Sequence, residues 1–136
     1  MNNYHGIIFA YKSYPELREL VAERTAASLP ICSRYRLIDF SLSSLRNAGI
    51  VDVGVIMQRD YQSLLDHLGS GKPWDMSRRT GGLRMLPPFG LPAHHRGDYS
   101  GTIEALNSVS SYIEEIPKKY IVLMIGNLCA NINLRE

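Results

Sequence analysis

Apolar positions cluster into three short continuous runs separated by stretches with helical spacing. Gly6–Ala10 (GIIFA) predicts a short buried strand, Val51–Met57 (VDVGVIM) a second, rich in β-branched residues, and Tyr120–Ile125 (YIVLMI) a third, apolar one. From Tyr35 to Ala48 the apolar residues Ile38, Leu42 and Leu45 recur four and three apart, which predicts a helix with one inward face. Gly49 follows it, where a left-handed cap needs a residue without Cβ. Tyr61 to Leu68 predicts a second helix, with Leu64, Leu65 and Leu68 on one face and Gly69 at its end. Thr102 is placed to cap a third helix carrying Ile103, Leu106 and Ile113, which Pro117 closes.

The periodicity dissolves between Ser70 and Tyr99. This stretch predicts a long loop with a hairpin around Gly82–Pro87. Within it, Trp74 and the run Met85–Phe89 are set to pack on the chain's own sheet or on a partner, with the partner slightly favoured. Alternation of strands and helices implies right-handed crossovers and a mostly parallel sheet. Such sheets bind ligands beyond the C-terminal ends of their strands. That rule singles out Ala10–Pro15, Gln58–Asp60 and Gly126–Asn133.

Composition narrows the class without naming a function. The 136 residues are 45% hydrophobic and 21% charged, with a formal net charge of +2. A core is affordable to such a chain, and the charge is too small to argue for nucleic acid or an anionic membrane. No apolar run approaches a membrane span, and the N-terminus lacks the pattern of a secretory signal. Cys32 and Cys129 match no metal spacing and are read as reduced thiols in a cytoplasmic protein. His94 and His95 are two adjacent imidazoles in a loop, which do not make a metal site, so no metal is expected.

The block RYRLIDF (Arg34–Phe40), followed by SLSSLRNAGI (Ser41–Ile50), resembles the glucose-1-phosphate adenylyltransferase family, whose members make ADP-glucose for glycogen or starch. VIMQ (Val55–Gln58), YSGTIEAL (Tyr99–Leu106) and YIVLMIGN (Tyr120–Asn127) resemble further family blocks, in order and at matching spacings. The wording RTAASLP and WDMSRRTGGLRMLPPF (Trp74–Phe89) is most similar to the GlgD branch, regarded as the non-catalytic, regulatory partner of the catalytic subunit. The resemblance implies an α/β fold: a partial Rossmann-like nucleotidyltransferase domain, with flanking helices on a three-strand parallel core. It implies that residues 1–136 are the N-terminal part of that domain, without the family's C-terminal β-helix.

Departures from the family pattern bear on chemistry. The reaction joins a sugar phosphate to the α-phosphorus of ATP, so the protein must cradle a triphosphate and place magnesium. A glycine-rich turn does the first job through its backbone N–H groups. Here the corresponding positions hold Tyr11, Lys12 and Tyr14, and Pro15 removes a donor. Glu16 stands where the family has Arg, and Ala26 where it has Lys. Asn127 stands for the magnesium-binding Asp, keeping its shape but not its charge. The expectation is therefore no catalytic residue and no cofactor bound by this chain. Magnesium and ATP would be used by a catalytic adenylyltransferase subunit with which it forms a hetero-oligomer.

Gln58, Gly101 and Thr102 match positions near the nucleotide and are candidates for residual nucleotide binding; the alternative is a strand end and a helix cap. Arg24, Arg34 and Arg36 are candidates for effector contacts or for ion pairing with Asp39 or Glu23. Asp39 is read as a residue that positions its neighbours. Two rivals stay open: an active sugar-phosphate nucleotidyltransferase with an unusual loop, and a stand-alone nucleotide- or sugar-phosphate-sensing module.

Overall fold

The computed structural model describes residues 3–88 and 99–135. The chain runs through β1 (Tyr4–Phe9), β2 (Pro30–Ile31), β3 (Tyr35–Arg36), α1 (Ile38–Asn47), β4 (Val53–Ile56), α2 (Gln62–Leu68), β5 (Leu83–Leu86), α3 (Thr102–Ser108), α4 (Ser110–Glu114) and β6 (Tyr120–Ile125). Short 3-10 turns cover Pro15–Val21, Ala26–Ser28 and Lys72–Trp74. Four strands form one parallel sheet in the order β5-β4-β1-β6, and β2 and β3 make a small antiparallel ladder beside it. This is the expected α/β, mostly parallel architecture with one strand more than the sequence predicts.

That strand is β5. The stretch around Gly82–Pro87 is not a hairpin: Leu83–Leu86 pairs parallel with Val53–Ile56 as the sheet's edge. A tight turn delivers it there. Gly82 has φ 80°, and a Cβ on it would collide with the Met76 carbonyl oxygen, so the turn needs glycine. Trp74 is 9% exposed and packs in the main core with Met76, so this part of the loop covers the chain's own sheet and does not await a partner. Met85 and Leu86 are half-buried strand residues; Phe89, His94 and His95 lie outside the described residues.

Helix α1 begins at Ile38, three residues later than its periodicity predicts, because Tyr35 and Arg36 pair with Ile31 and Pro30. Its Ile38, Leu42 and Leu45 are fully buried, as the spacing requires. Gly49 takes φ 81°, donates to the Arg46 carbonyl and ends the helix. The third helix is broken at Val109 (φ −114°, ψ 19°) into α3 and α4. Ala105 and Val109 face the core, and Ile103, expected on the inward face, is 84% exposed.

The sheet divides the core by strand parity. Ile8, Val53, Val55 and Met57 face α1 and α2, whereas Ile7, Phe9 and Ile56 face Tyr99, α3 and Tyr112. Strand β6 is paired on one side only, and Leu123 and Ile125 on it remain 49% and 43% exposed. Among the described residues no helix is long and apolar enough to cross a membrane.

Candidate functional site

The C-terminal ends of β1 and β4 and the start of α3 frame a cleft of about 360 Å³. Tyr11, Lys12, Ser13, Pro15, Gln58 and the segment Tyr99–Thr102 line it. The fold therefore gathers positions 47 and 43 residues apart in sequence, Tyr11 to Gln58 and Gln58 to Gly101, at the edge where parallel sheets take ligands. Gln58, Gly101 and Thr102, the nucleotide-binding candidates, all fall in this one cleft.

Each wall follows from local sequence. Strand β1 ends at Phe9, after which Ala10 still donates to the Ile56 carbonyl and carries Tyr11 inward. The Tyr11 ring is 4% exposed, set edge-on to Tyr99 at 5.1 Å and to Phe9 at 6.2 Å. Its hydroxyl is buried with no hydrogen-bond partner among the described residues. Pro15 opens the first 3-10 turn and has no N–H to offer; Glu16 follows it, exposed. Across the cleft, Thr102 does not cap α3. Gly101 holds the cap position at φ −175°, and Thr102 is the first helical residue without a capping side-chain bond. The Glu104 carboxylate instead accepts from the Ser100 N–H at 2.6 Å and from the Ser100 hydroxyl at 2.5 Å. An acidic group thus already occupies donors that would otherwise face an anion.

The remaining substituted positions lie on the same edge. Ala26 is buried, and its N–H holds the Lys12 carbonyl at 3.0 Å. Asn127 follows β6 and donates from Nδ2 to the Tyr14 hydroxyl at 3.2 Å. The residues here do not fit a magnesium-bound triphosphate. The position expected to supply a carboxylate carries an amide engaged with a phenol, and the loop beside it lacks one backbone donor and carries an acid.

Arg36 and Asp39 form a separate polar knot. The Arg36 guanidinium donates to the Ser28 carbonyl and to Ser63 Oγ, both at 2.7 Å. Asp39 accepts from the Arg36 N–H at 3.0 Å through Oδ2 and meets His67 Nε2 at 2.7 Å through Oδ1. Burial, and then the like charge of half-buried Arg24, lower the Arg36 pKa from its ordinary value. Arg34 sits exposed in the β2–β3 turn, and its N–H donates to the Cys32 carbonyl. The knot ties the turn at Ala26–Ser28 to α1 and α2, and so braces one side of the cleft. His67 and Ser63 were not legible as members of it, because nothing in their spacing links them to Asp39 or Arg36.

Comparison with known proteins places these observations. The family described as Nucleotidyl transferase matches residues 15–136. The glycogen biosynthesis protein GlgD of Bacillus subtilis is 34% identical over 134 residues, covering 98% of this chain and 38% of the relative. GlgD of Geobacillus stearothermophilus is 45% identical over 133 residues, covering 97% and 38%. A glucose-1-phosphate adenylyltransferase of Fusobacterium nucleatum is 33% identical over 122 residues, covering 90% and 32%. The chain thus spans well under half the length of these curated relatives. With its parallel sheet, its strand-end cleft and a match over residues 15–136, the chain belongs to the nucleotidyl transferase family.

Proposed function

We propose that the chain is a catalytically silent, regulatory member of a glucose-1-phosphate adenylyltransferase system in glycogen biosynthesis. It acts by assembly with a catalytic subunit, and that subunit uses the ATP and magnesium. The observation that carries this reading is the substituted strand-end edge: Asn127 bonded to Tyr14, Glu104 bonded to Ser100, and Pro15 and Glu16 in the loop after β1. An edge with an amide where a carboxylate is expected, an acid on its donors and a proline in its loop offers little to a transition state that gains negative charge. Likeness to proteins named GlgD supports the same reading.

Regulation in such a pair is a coupling free energy: the silent subunit binds one conformation of the catalytic subunit better than the other. The test measures adenylyltransferase turnover of a catalytic subunit with and without this chain, and of this chain alone. Altered turnover in the mixture, with a silent chain alone, is the expected result. Turnover by the chain alone, or co-elution failing while turnover stays unchanged, overturns the reading.

One observation favours ligand sensing at the same edge, since Gln58, Gly101 and Thr102 converge on one cleft. A ligand that binds only the folded state raises the unfolding temperature, increasingly as its concentration exceeds its Kd. Thermal unfolding in the presence of nucleotides and sugar phosphates separates this reading from a purely structural edge.

A further inference from the structure

A second cleft, of about 400 Å³, lies at the opposite end of the sheet, where its strands begin. His5 of β1 forms its floor, Asp52 and Lys118 precede β4 and β6, Gly81–Arg84 leads into β5, and Tyr112 and Glu115 come from the α4 end. None of these residues takes part in the strand-end cleft described above.

The charges in it are unevenly satisfied. Asp52 is fully engaged: Oδ1 accepts from the Gly82 N–H at 2.8 Å, and Oδ2 meets Lys118 Nζ at 3.1 Å. Arg84 has no carboxylate partner among the described residues; its guanidinium lies over the Tyr112 ring, 5.6 Å from the centroid. That stacking orients a planar donor fork without neutralising it. Glu115 on the rim is the acid that opposes an incoming anion. Beneath, the Tyr112 hydroxyl and His5 Nε2 are 3.0 Å apart, and His5 is only 5% exposed.

We infer that this cleft binds a small oxyanion, a carboxylate or a phosphate monoester, clamped by Arg84 and coupled to proton uptake at His5. The coupling follows from the hydrogen bond. With neutral His5 accepting at Nε2, the Tyr112 O–H is spent on the imidazole. When His5 takes a proton from solvent, Nε2–H donates to the Tyr112 oxygen and the phenolic O–H turns free to donate to the anion. The groups facing His5 are Asp52, which favours the cation, and Lys118 and Arg84, which oppose it, while burial lowers its pKa most. An anion beside Arg84 cancels part of that opposition, so affinity rises as pH falls.

The experiment titrates the chain with inorganic phosphate and, separately, with acetate at pH 5.5 and 7.5, following backbone amide shifts of Gly81, Gly82 and Arg84. The expected result is saturable binding, tighter at pH 5.5 for acetate, whose own charge changes little over this range, and weakened about tenfold or more in Arg84→Met, as loss of a charge-assisted contact requires. Tyr112→Phe keeps the ring beneath Arg84 and reduces the pH dependence of acetate binding, leaving only the part that the His5 charge itself contributes. Tighter binding of phosphate or of acetate identifies which oxyanion the cleft prefers. Absence of saturable binding by both anions overturns the inference, as does equal affinity in a folded Arg84→Met variant or a pH dependence of acetate binding that is undiminished in Tyr112→Phe.

Discussion

Asn127 Nδ2 donates to the Tyr14 hydroxyl at 3.2 Å, across 113 residues of sequence. The contact joins the loop after β1 to the end of β6, where the resemblance calls for a metal carboxylate facing a phosphate loop. Both groups are neutral, so the edge is held together without an ion. Restoring one charge does not restore the cradle, because Pro15 and Glu16 remain. Asn127→Asp is therefore expected to leave pyrophosphate release from ATP and glucose 1-phosphate at background. Turnover appearing in that single variant would show that the loop is competent after all.

Tyr11 offers a stability test. Its hydroxyl is buried inside an aromatic cluster with Phe9 and Tyr99, with no partner among the described residues. Leaving a polar group in that state costs about 1–3 kcal/mol, and deleting it removes the cost. Tyr11→Phe is expected to raise the unfolding free energy by an amount in that range, and the urea midpoint with it. A lower midpoint would mean that the hydroxyl has a partner in solution.

The turn between β2 and β3 stores backbone strain. Cys32 and Ser33 stand at φ 48° and 74°, in the left-handed region where a Cβ crowds the backbone. Glycine there avoids a penalty of roughly 1–2 kcal/mol per residue, less its greater freedom when unfolded. Cys32→Gly and Ser33→Gly should each stabilise the fold in chemical denaturation, and the two together more than either alone.

Acid should weaken the fold through His5. Burial holds its folded pKa below the ordinary 6.5. Below 6.5 the unfolded chain binds more protons than the folded one, so folded stability falls as pH drops from 6.5 towards the depressed folded value. Asp52 acts in a lower window. Burial pushes its pKa up, but the Gly82 N–H and Lys118 outweigh that and leave it below 3.8. Its contribution is present above 3.8 and is lost as pH falls through the folded value. Unfolding free energies measured from pH 8 to 5 should decline, and His5→Phe should flatten that slope while lowering the plateau, since Tyr112 loses its partner.

Leu45 tests the main core. It is fully buried and lies against the Cα of Gly6, where an added Cβ would come within 2.9 Å of it. Truncating such a side chain costs about 2–5 kcal/mol, depending on how far the neighbours close in. Leu45→Ala should lower stability within that range, with an unchanged slope against denaturant if the native state keeps its compactness.

Much of this organisation is already written along the chain. Apolar runs mark β1, β4 and β6; β1 and β4 are buried on both faces and have no polar side to alternate with, whereas β6 keeps the apolar run although much of it is exposed. The spacing of Ile38, Leu42 and Leu45 marks α1, and Gly49 its end, because both depend only on local backbone geometry. The strand-end location of the first cleft follows from parallel topology, and its substituted positions are readable one by one. These are features whose physical cause lies within a few residues or in a general rule of topology.

What only the tertiary structure decided depends on partners distant in sequence. Leu83–Leu86 is a weak strand by itself and becomes one by pairing with Val53–Ile56. Tyr35–Arg36 leaves the helix because Pro30–Ile31 offers a ladder. Trp74 is core because the Gly82 turn brings its loop back over α1, and Thr102 is no cap because Gly101 holds that place and Glu104 captures Ser100. The second cleft gathers His5, Asp52, Arg84, Tyr112 and Lys118 from four strand starts and a helix. No spacing in the sequence encodes that meeting, because it is produced by the order in which the strands line up.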